Sequence, residues 1–417
     1  MQQWKLAFMM AASALFTLAG YELMRSAATV LFKSTYGAEN LPFVMAVMPA
    51  VMLAGVWAYG KLLSKLGPRR TLNVTTLFSA IAIVAGWLLY RLGALWVTPV
   101  LFLLKEFYVV LLIEQYWSYL NSSLSETSAK KMNGPITGIA GFGAVLGGAF
   151  VANFAVSLGT DLLIPIAAMA LLPAGWLANH TQKTFGEPSH PEPPKEQPAH
   201  PDDTAPIQHD ALGIRTTLSS APLRALFFVI LSAQLIAAVL DFKFQGLLSE
   251  YFDGRVDEET AFQGQFWFYL NAAAVAFQFL ATPLLLSRLP LRWVHFLVPG
   301  VHITFIGWAL WDPGILSVGA AYFVFKMFDY SLFRGAKELI YLPLDFASRY
   351  RAKEFIDVFG YRTGKGGSSL VILALQKVGV QMMNYYLYIA FGFVLVWLTL
   401  VPALTSSKRK PSPIKAT

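Results

Sequence analysis

Residues 7–32 read AFMMAASALFTLAGYELMRSAATVLF. A helix needs about 20 mostly apolar residues to cross a hydrocarbon core about 30 Å thick, and this run is long enough. It nevertheless holds Glu22 and Arg25, spaced i, i+3 on one helical face. An ionised side chain near the bilayer centre costs about 2.5–3.5 kcal/mol even on the mildest scales. Such residues face a bundle interior or a watery route, and by default mark a path for a polar solute. Leu6–Gly20 alone has the make-up of a signal-peptide core. The apolar run continues past it to Phe32, so the segment reads as an uncleaved first span.

The rest of the chain repeats this pattern. Of 417 residues, 56% are hydrophobic and 13% charged, with mean hydropathy +0.53, which excludes an ordinary soluble domain. Aromatic residues at 14% suit belts at two membrane interfaces. The absence of cysteine excludes disulfides and thiolate metal sites. Twelve apolar segments are long enough to span: 5–33, 41–66, 71–91, 95–122, 134–157 and 160–178, then 222–249, 261–286, 292–311, 315–343, 356–377 and 383–404. Between the sixes lies a polar, proline-rich stretch with Pro188, Pro191, Pro193, Pro194, Pro198, Pro201 and Pro206. The expectation is an all-α membrane protein of two six-helix halves, major-facilitator-like. Residues 1–180 form the first half, 181–216 a cytoplasmic linker, 217–405 the second half and 406–417 a basic tail.

Weak internal repetition agrees. Lys65-Leu-Gly-Pro-Arg-Arg70 follows span 2, and Arg288-Leu-Pro-Leu-Arg-Trp293 follows span 8. Glu22 in span 1 corresponds to Asp241 in span 7. The net charge of +8 sits mostly in loops on one side: Lys61, Lys65, Arg69 and Arg70, then Lys130 and Lys131, Arg288 and Arg292, and Arg349, Arg351 and Lys353. That asymmetry marks the cytoplasm and places both termini and the linker there. It is a topology signal and not a nucleic-acid-binding face. The opposite loop Glu250–Thr260 is acidic.

Charged residues inside spans are the candidate site. Span 1 offers Glu22 and Arg25, span 4 Lys105, Glu106 and Glu114, and span 7 Asp241 and Lys243. Span 10 carries a stripe of Lys326, Asp329, Arg334, Lys337 and Glu338, with Arg334 deeper than Lys337 and Glu338. Span 11 opens with Asp357, followed by Arg362 and Lys365 among Gly360, Gly364, Gly366 and Gly367, where an unwound turn would let an anion approach. The cations Arg25, Lys105, Lys243, Arg334, Arg362 and Lys365 are expected to contact an anionic solute. Glu22, Glu106, Glu114, Asp241, Lys337, Glu338 and Asp357 are expected to couple or gate. The bland alternative is ion pairs that only hold helices together, although buried pairs seldom add net stability. Gly134, Gly138, Gly141, Gly143, Gly147 and Gly148 in span 5 read as helix-packing positions. The string around Lys365 fails the phosphate-loop pattern, being one residue short with Gly366 where Ser or Thr should stand. No cofactor is expected. The loosely spaced linker histidines His190, His200 and His209 do not make a metal site. A membrane enzyme acting on lipid or glycan would need a His constellation, and only His295 and His302 lie in spans.

Spans 10 and 11 also carry a resemblance. Arg334-Gly-Ala-Lys-Glu-Leu-Ile-Tyr-Leu-Pro-Leu-Asp345 and Arg351-Ala-Lys-Glu-Phe-Ile-Asp-Val-Phe-Gly-Tyr-Arg-Thr-Gly-Lys365 resemble the non-mitochondrial ATP/ADP translocases, nucleotide transporters of plastids and intracellular bacteria. Leu23-Met-Arg25, Glu39-Asn-Leu-Pro-Phe43, Val47-Met-Pro49 and Tyr116-Trp117 through Asn121 are similar to that family's first half. The resemblance implies a facilitator-type fold, exchange or proton-driven movement of nucleotides, and cationic cavity residues that hold phosphates. The chain departs from the family pattern at Ala28 and Thr29, where a Lys and an Asp are usual, and at Gln245, where a Lys is usual. The expectation is therefore a monomeric secondary transporter of an anionic, nucleotide-like or phosphorylated or carboxylated solute, using exchange or protons. A proton-coupled carrier of an unrelated solute stands as the alternative.

Overall fold

The computed structural model describes residues 2–187, 214–342, 352–353, 355–356 and 360–406. Residues 188–213 of the expected linker, the tail from 407 and Asp357 lie outside that set. The elements, in order, are α1 (Gln2–Tyr36), α2 (Leu41–Arg91), α3 (Val97–Ser123), α4 (Glu126–Leu158), α5 (Leu163–Phe185), α6 (Ile214–Ser219) and α7 (Ala221–Phe252). Then come α8 (Val256–Ala276), α9 (Thr282–Arg288), α10 (Leu291–Trp311), α11 (Ile315–Phe328), α12 (Arg334–Tyr341), α13 (Tyr361–Lys377) and α14 (Tyr386–Leu404). Short π-helical segments, Phe277–Ala281 and Asp329–Phe333, join α8 to α9 and α11 to α12. Among the described residues all regular structure is helical, as a chain must be when lipid offers its backbone no partners.

A helix lies at each of the twelve expected segments, and among the described residues nine helices are long and apolar enough to cross a membrane. One of them, Ala38–Arg91, is two spans in one. Gly67 breaks it with φ +75°, a left-handed conformation that glycine takes without penalty, and Pro68 starts the next helix. The charged α3 and the short α13 are not among the nine. The glycine-rich stretch after Tyr361 is helical in α13, in place of the unwound turn read from its composition. Gly364 there lies against the Gln234 side chain, so the small residue serves close helix packing.

The chain divides into two compact units. The first comprises Met1–Thr204, Phe244–Ala276 and Ile372–Val378. In it α1 is the central element, packed on α3, α4, α5 and α8, and α4 runs along both α1 and α8. Glycines make these approaches possible. A Cβ at Gly143 would stand 2.1 Å from the Leu15 carbonyl oxygen, and one at Gly147 2.4 Å from that of Ala19. On the neighbouring side, a Cβ at Gly148 would meet the Phe268 nitrogen at 2.8 Å, and one at Gly264 the Ala152 nitrogen at 2.5 Å. The span-5 glycines therefore let α4 hold α1 and α8 at once.

The two ends of this unit are tied differently. At the basic end, Arg69 pairs with Glu187 at 3.2 Å, and the Tyr119 hydroxyl donates to the Gly186 carbonyl at 3.2 Å. At the other end, Arg91 pairs with Asp161 at 3.1 Å, and the Thr160 amide and hydroxyl each donate to Asp257 at 2.7 Å.

The second unit comprises Ala205–Lys243, Phe277–Val371 and Gly379–Thr417. Here α10 packs on α11 and α14, and the two π-helical segments touch. His302 is buried in an aromatic box, with ring centroids 4.8 Å from Phe325, 5.8 Å from Trp397 and 5.9 Å from Phe328. This is a packing position and not the edge of a hydrolytic site.

Candidate functional site

Buried charge in the first unit is concentrated on α1. Glu22 is 2% exposed and forms an ion pair with Arg25, one turn on. The other Glu22 oxygen accepts a hydrogen bond from the Asn271 amide of α8 at 3.0 Å. The Arg25 guanidinium lies over the Trp267 ring, 3.4 Å from its centroid, and 5.2 Å from that of Tyr21. A guanidinium is weakly hydrated and stacks on aromatic faces, so this surrounding lowers the cost of burying it. The Tyr108 hydroxyl of α3 is fully buried within electrostatic reach of both charges. Neither it nor the Ser26 hydroxyl has a hydrogen-bond partner among the described residues. The site is thus an ion pair ringed by aromatic faces and two uncommitted hydroxyls. Gly147 makes it possible: a Cβ there would stand 2.8 Å from that of Glu22.

Two further pairs lie in this unit. Lys105 is buried, pairs with Glu106 at 2.7 Å and sits 3.7 Å from the Phe102 ring centroid. Lys33, near the end of α1, forms an ion pair with Glu259 in the first turn of α8. Its ammonium also donates to the Gln245 carbonyl at 3.3 Å. Sequence reading missed this pair. Lys33 stood at the edge of span 1, and Glu259 was counted with the acidic loop, because the helix begins at Val256 and not at 261. A partner 226 residues away leaves no trace in the local sequence around Lys33. Glu114, expected to line a route, is exposed on α3, where its charge acts on Tyr59 of α2.

In the second unit, the Lys243 ammonium donates to the Met383 carbonyl at 3.2 Å. Asp241, two residues before it, is partly buried. The span-10 stripe centres on Asp329, which opens the π-helical segment. Lys326 stands 4.0 Å from its carboxylate, and the charges of Lys337 and Arg334 also act on it. A π-helical turn widens a helix locally and is frequent at functional sites. Lys337 is buried whereas Arg334 is exposed, so the expected order of depth is not the order of burial. Glu338 pairs with Lys353 at 2.6 Å. Arg362 and Lys365 lie on the helical backbone of α13, but their side chains, like Asp357, lie outside the described residues. Among the described residues no group of three or more His, Asp or Glu is placed to hold a metal ion.

A small cavity of about 20 Å³ lies in the first unit, lined by Ser13, Thr17, Thr76, Tyr116 and apolar neighbours from α1, α2, α3 and α5. None of the expected charged residues lines it. The Tyr116 hydroxyl there has no partner among the described residues.

Comparison with known proteins adds two findings. Residues 301–407 match the TLC ATP/ADP transporter family model. That stretch contains the motifs of spans 10 and 11, while the similarities read in the first half lie outside it. ADP,ATP carrier protein 1 of Chlamydia muridarum is 39% identical over 77 residues, covering 18% of this chain and 15% of the carrier. ADP,ATP carrier protein 4 of Rickettsia bellii is 33% identical over 109 residues, covering 24% and 21% respectively. ADP,ATP carrier protein 1 of Rickettsia bellii is 26% identical over 170 residues, covering 35% of this chain and 34% of the carrier. The matches thus span about a third or less of these relatives, which are carriers and not enzymes.

Among solved structures, the nucleoside transporter NupG superposes with a TM-score of 0.69 at 11% identity, covering 96% of this chain and 100% of that one. A bacterial homologue of the iron transporter ferroportin gives 0.68 at 14% identity, covering 97% and 99%. At such identities the likeness shows the fold alone. The chain is a membrane protein whose described residues are helical, with the fold of these solved transporters, and over residues 301–407 it is similar to the TLC ATP/ADP transporter family.

Proposed function

We propose that this protein is a secondary transporter of a bacterial inner membrane that moves an anionic, nucleotide-like solute by alternating access. The observation that carries the reading is the surround of Asp329. Lys326 stands 4.0 Å from its carboxylate, and the charges of Arg334 and Lys337 act on it, inside the segment that matches the ATP/ADP transporter family. Ammonium and guanidinium donors of this kind suit phosphate or carboxylate oxygens. Arg25, Lys105 and Lys243, with Arg362 and Lys365 on α13, are the further cations assigned to the solute. Glu22, Glu106, Asp241, Glu338 and Asp357 are assigned to coupling or gating. The basic loops support a cytoplasmic side for both termini and the linker, and the proposed working form is a monomer.

The carboxylates of Glu22, buried, and Asp329, partly buried, favour a second reading, in which protons drive the solute. Protonation would release a paired cation for an anion. The test has two arms. Purified protein is heated in the presence of ATP, ADP, nucleosides and phosphorylated sugars. A ligand at 100 times its dissociation constant stabilises the folded state by about 2.7 kcal/mol. A shift with ATP or ADP and none with nucleosides supports the anionic reading, and the reverse order overturns it. Uptake into liposomes under a pH gradient, without counter-substrate, identifies proton coupling. Uptake only against internal nucleotide identifies exchange.

A further inference from the structure

Arg70 of α2 and Lys183 of α5 are exposed at the basic end of the first unit, and among the described residues neither belongs to an ion pair. Their neighbour Arg69 does, with Glu187 at 3.2 Å, which ties the two helix ends together. On α2, Arg70 is followed at helical spacing by Val74, Leu77, Phe78 and Ile81, all exposed. These five residues fall within about 100° of arc on one helical face. On α5, Lys183 is preceded in the same way by His180, Trp176, Leu172 and Met169, also exposed. Each helix thus shows a long apolar stripe that ends in a cation.

The two stripes share one face of the helix pair. The contacts show that the second half of α2 and α5 run antiparallel: Asn73 donates to Asn179 at 2.9 Å, a Cβ at Gly175 would meet the Thr76 methyl at 3.0 Å, and Arg69 reaches Glu187. Asn73 and Thr76 lie to one side of the α2 stripe, and Asn179 and Gly175 to one side of the α5 stripe, with the same rotational sense about each axis. In an antiparallel pair that arrangement turns both stripes to the same side. Arg70 stands about one turn from Asn73, and Lys183 about one turn from Asn179, in the same direction, so the cations are level across the seam. Axes of packed helices lie about 8–10 Å apart, and a guanidinium and an ammonium on such neighbours can meet one phosphate. Next along the face, the His180 imidazole stacks on the Trp176 indole, with ring centroids 5.5 Å apart and planes within 7°. An indole sits by preference where headgroups meet hydrocarbon. The sequence along the face is cations, aromatic pair, apolar stripe, which is the order of phosphate, glycerol and acyl chain in a phospholipid.

We propose that this face binds an anionic phospholipid, with its phosphate between Arg70 and Lys183 and its chains along the two stripes. A zwitterionic headgroup brings a cation of its own, which the two basic side chains repel. The site requires only that the chain spans a membrane, and not that it moves any particular solute.

The full-length protein in detergent is titrated with phosphatidylglycerol, with phosphatidylcholine of the same chains, and with inorganic phosphate. Melting temperature and native mass spectrometry, which counts retained lipids, are the readouts. Wild type should retain phosphatidylglycerol about tenfold or more tightly than phosphatidylcholine, the scale of two basic side chains at an anionic headgroup. Inorganic phosphate should leave its melting temperature unchanged. Arg70→Gln/Lys183→Gln should bring the two lipids to within about twofold of each other, with the wild-type melting temperature in lipid-free detergent. Arg288→Gln/Arg292→Gln, which removes two exposed cations from the second unit, should keep the preference. A preference that survives loss of Arg70 and Lys183, or that falls equally without Arg288 and Arg292, would overturn the site in favour of diffuse surface charge. A shift with inorganic phosphate as large as that with phosphatidylglycerol would overturn lipid as the ligand. A lower melting temperature of Arg70→Gln/Lys183→Gln in lipid-free detergent would show that these cations hold an acid of the chain itself, and would overturn the proposal as well.

Discussion

Arg25 shows how much one buried charge depends on its surroundings. Its stacking on Trp267 and its pair with Glu22 offset the loss of water, and Asn271 meets the remaining carboxylate oxygen. Removing one partner strands the other. Arg25→Gln should cost about 3–5 kcal/mol in unfolding experiments in detergent, whereas Glu22→Gln/Arg25→Gln should cost clearly less. Equal losses for the two would mean that Arg25 acts through packing on Trp267 alone. At Asp329, Lys326→Gln/Lys337→Gln should weaken ATP binding about tenfold or more, with the protein still folded. Unchanged binding would remove this cluster from the site. Glu22, Arg25, Lys105 and Glu106 were legible in the sequence because charge inside an apolar run has no innocent explanation in lipid. Lys33 and Glu259 were not. Each sat at an expected helix boundary, where a charge passes for a surface residue, and only the tertiary packing of α1 on α8 buries them.

At the scale of elements, the helices follow from apolar length. Their contacts follow from glycine. Gly147 and Gly148 are adjacent in sequence yet face different partners, α1 and α8, because successive helical residues point about 100° apart. Gly147→Leu should destabilise the protein by about 1–3 kcal/mol or more, since its side chain must displace the Ala19 carbonyl. Gly60→Ala is the control. A Cβ there meets nothing within 4 Å, and the helix gains up to about 1 kcal/mol. Thermal unfolding of the two variants in parallel would show the contrast, and similar melting temperatures would refute the packing role of α4. The small-residue spacing of span 5 announced close packing in the sequence, but not which glycine met which helix. The glycines of span 11 suggested an unwound turn, and α13 is helical there, because the missing side chains let it lie close to α7 at Gln234.

Across the whole molecule, an all-helical membrane fold was readable from the long apolar segments, and solved transporters superpose on nearly the full chain. Orientation can be tested directly because the chain has no cysteine. Lys65 and Leu92 are exposed at opposite ends of the second half of α2. In intact cells, Leu92→Cys should react with a membrane-impermeant maleimide, and Lys65→Cys only after permeabilisation. The opposite pattern would invert the topology. Sequence could not reveal the solute, because the charges proposed to meet it lie far apart in the chain and several are paired with one another in this conformation. The most direct test of the account is exchange transport. Liposomes containing the purified protein and loaded with ADP are given labelled ATP outside. Saturable uptake is expected, competed by unlabelled ADP but not by nucleosides, and lost in Lys326→Gln/Lys337→Gln while that variant stays folded. Wild-type uptake by the doubly substituted protein, or uptake of nucleosides in preference to nucleotides, would contradict it.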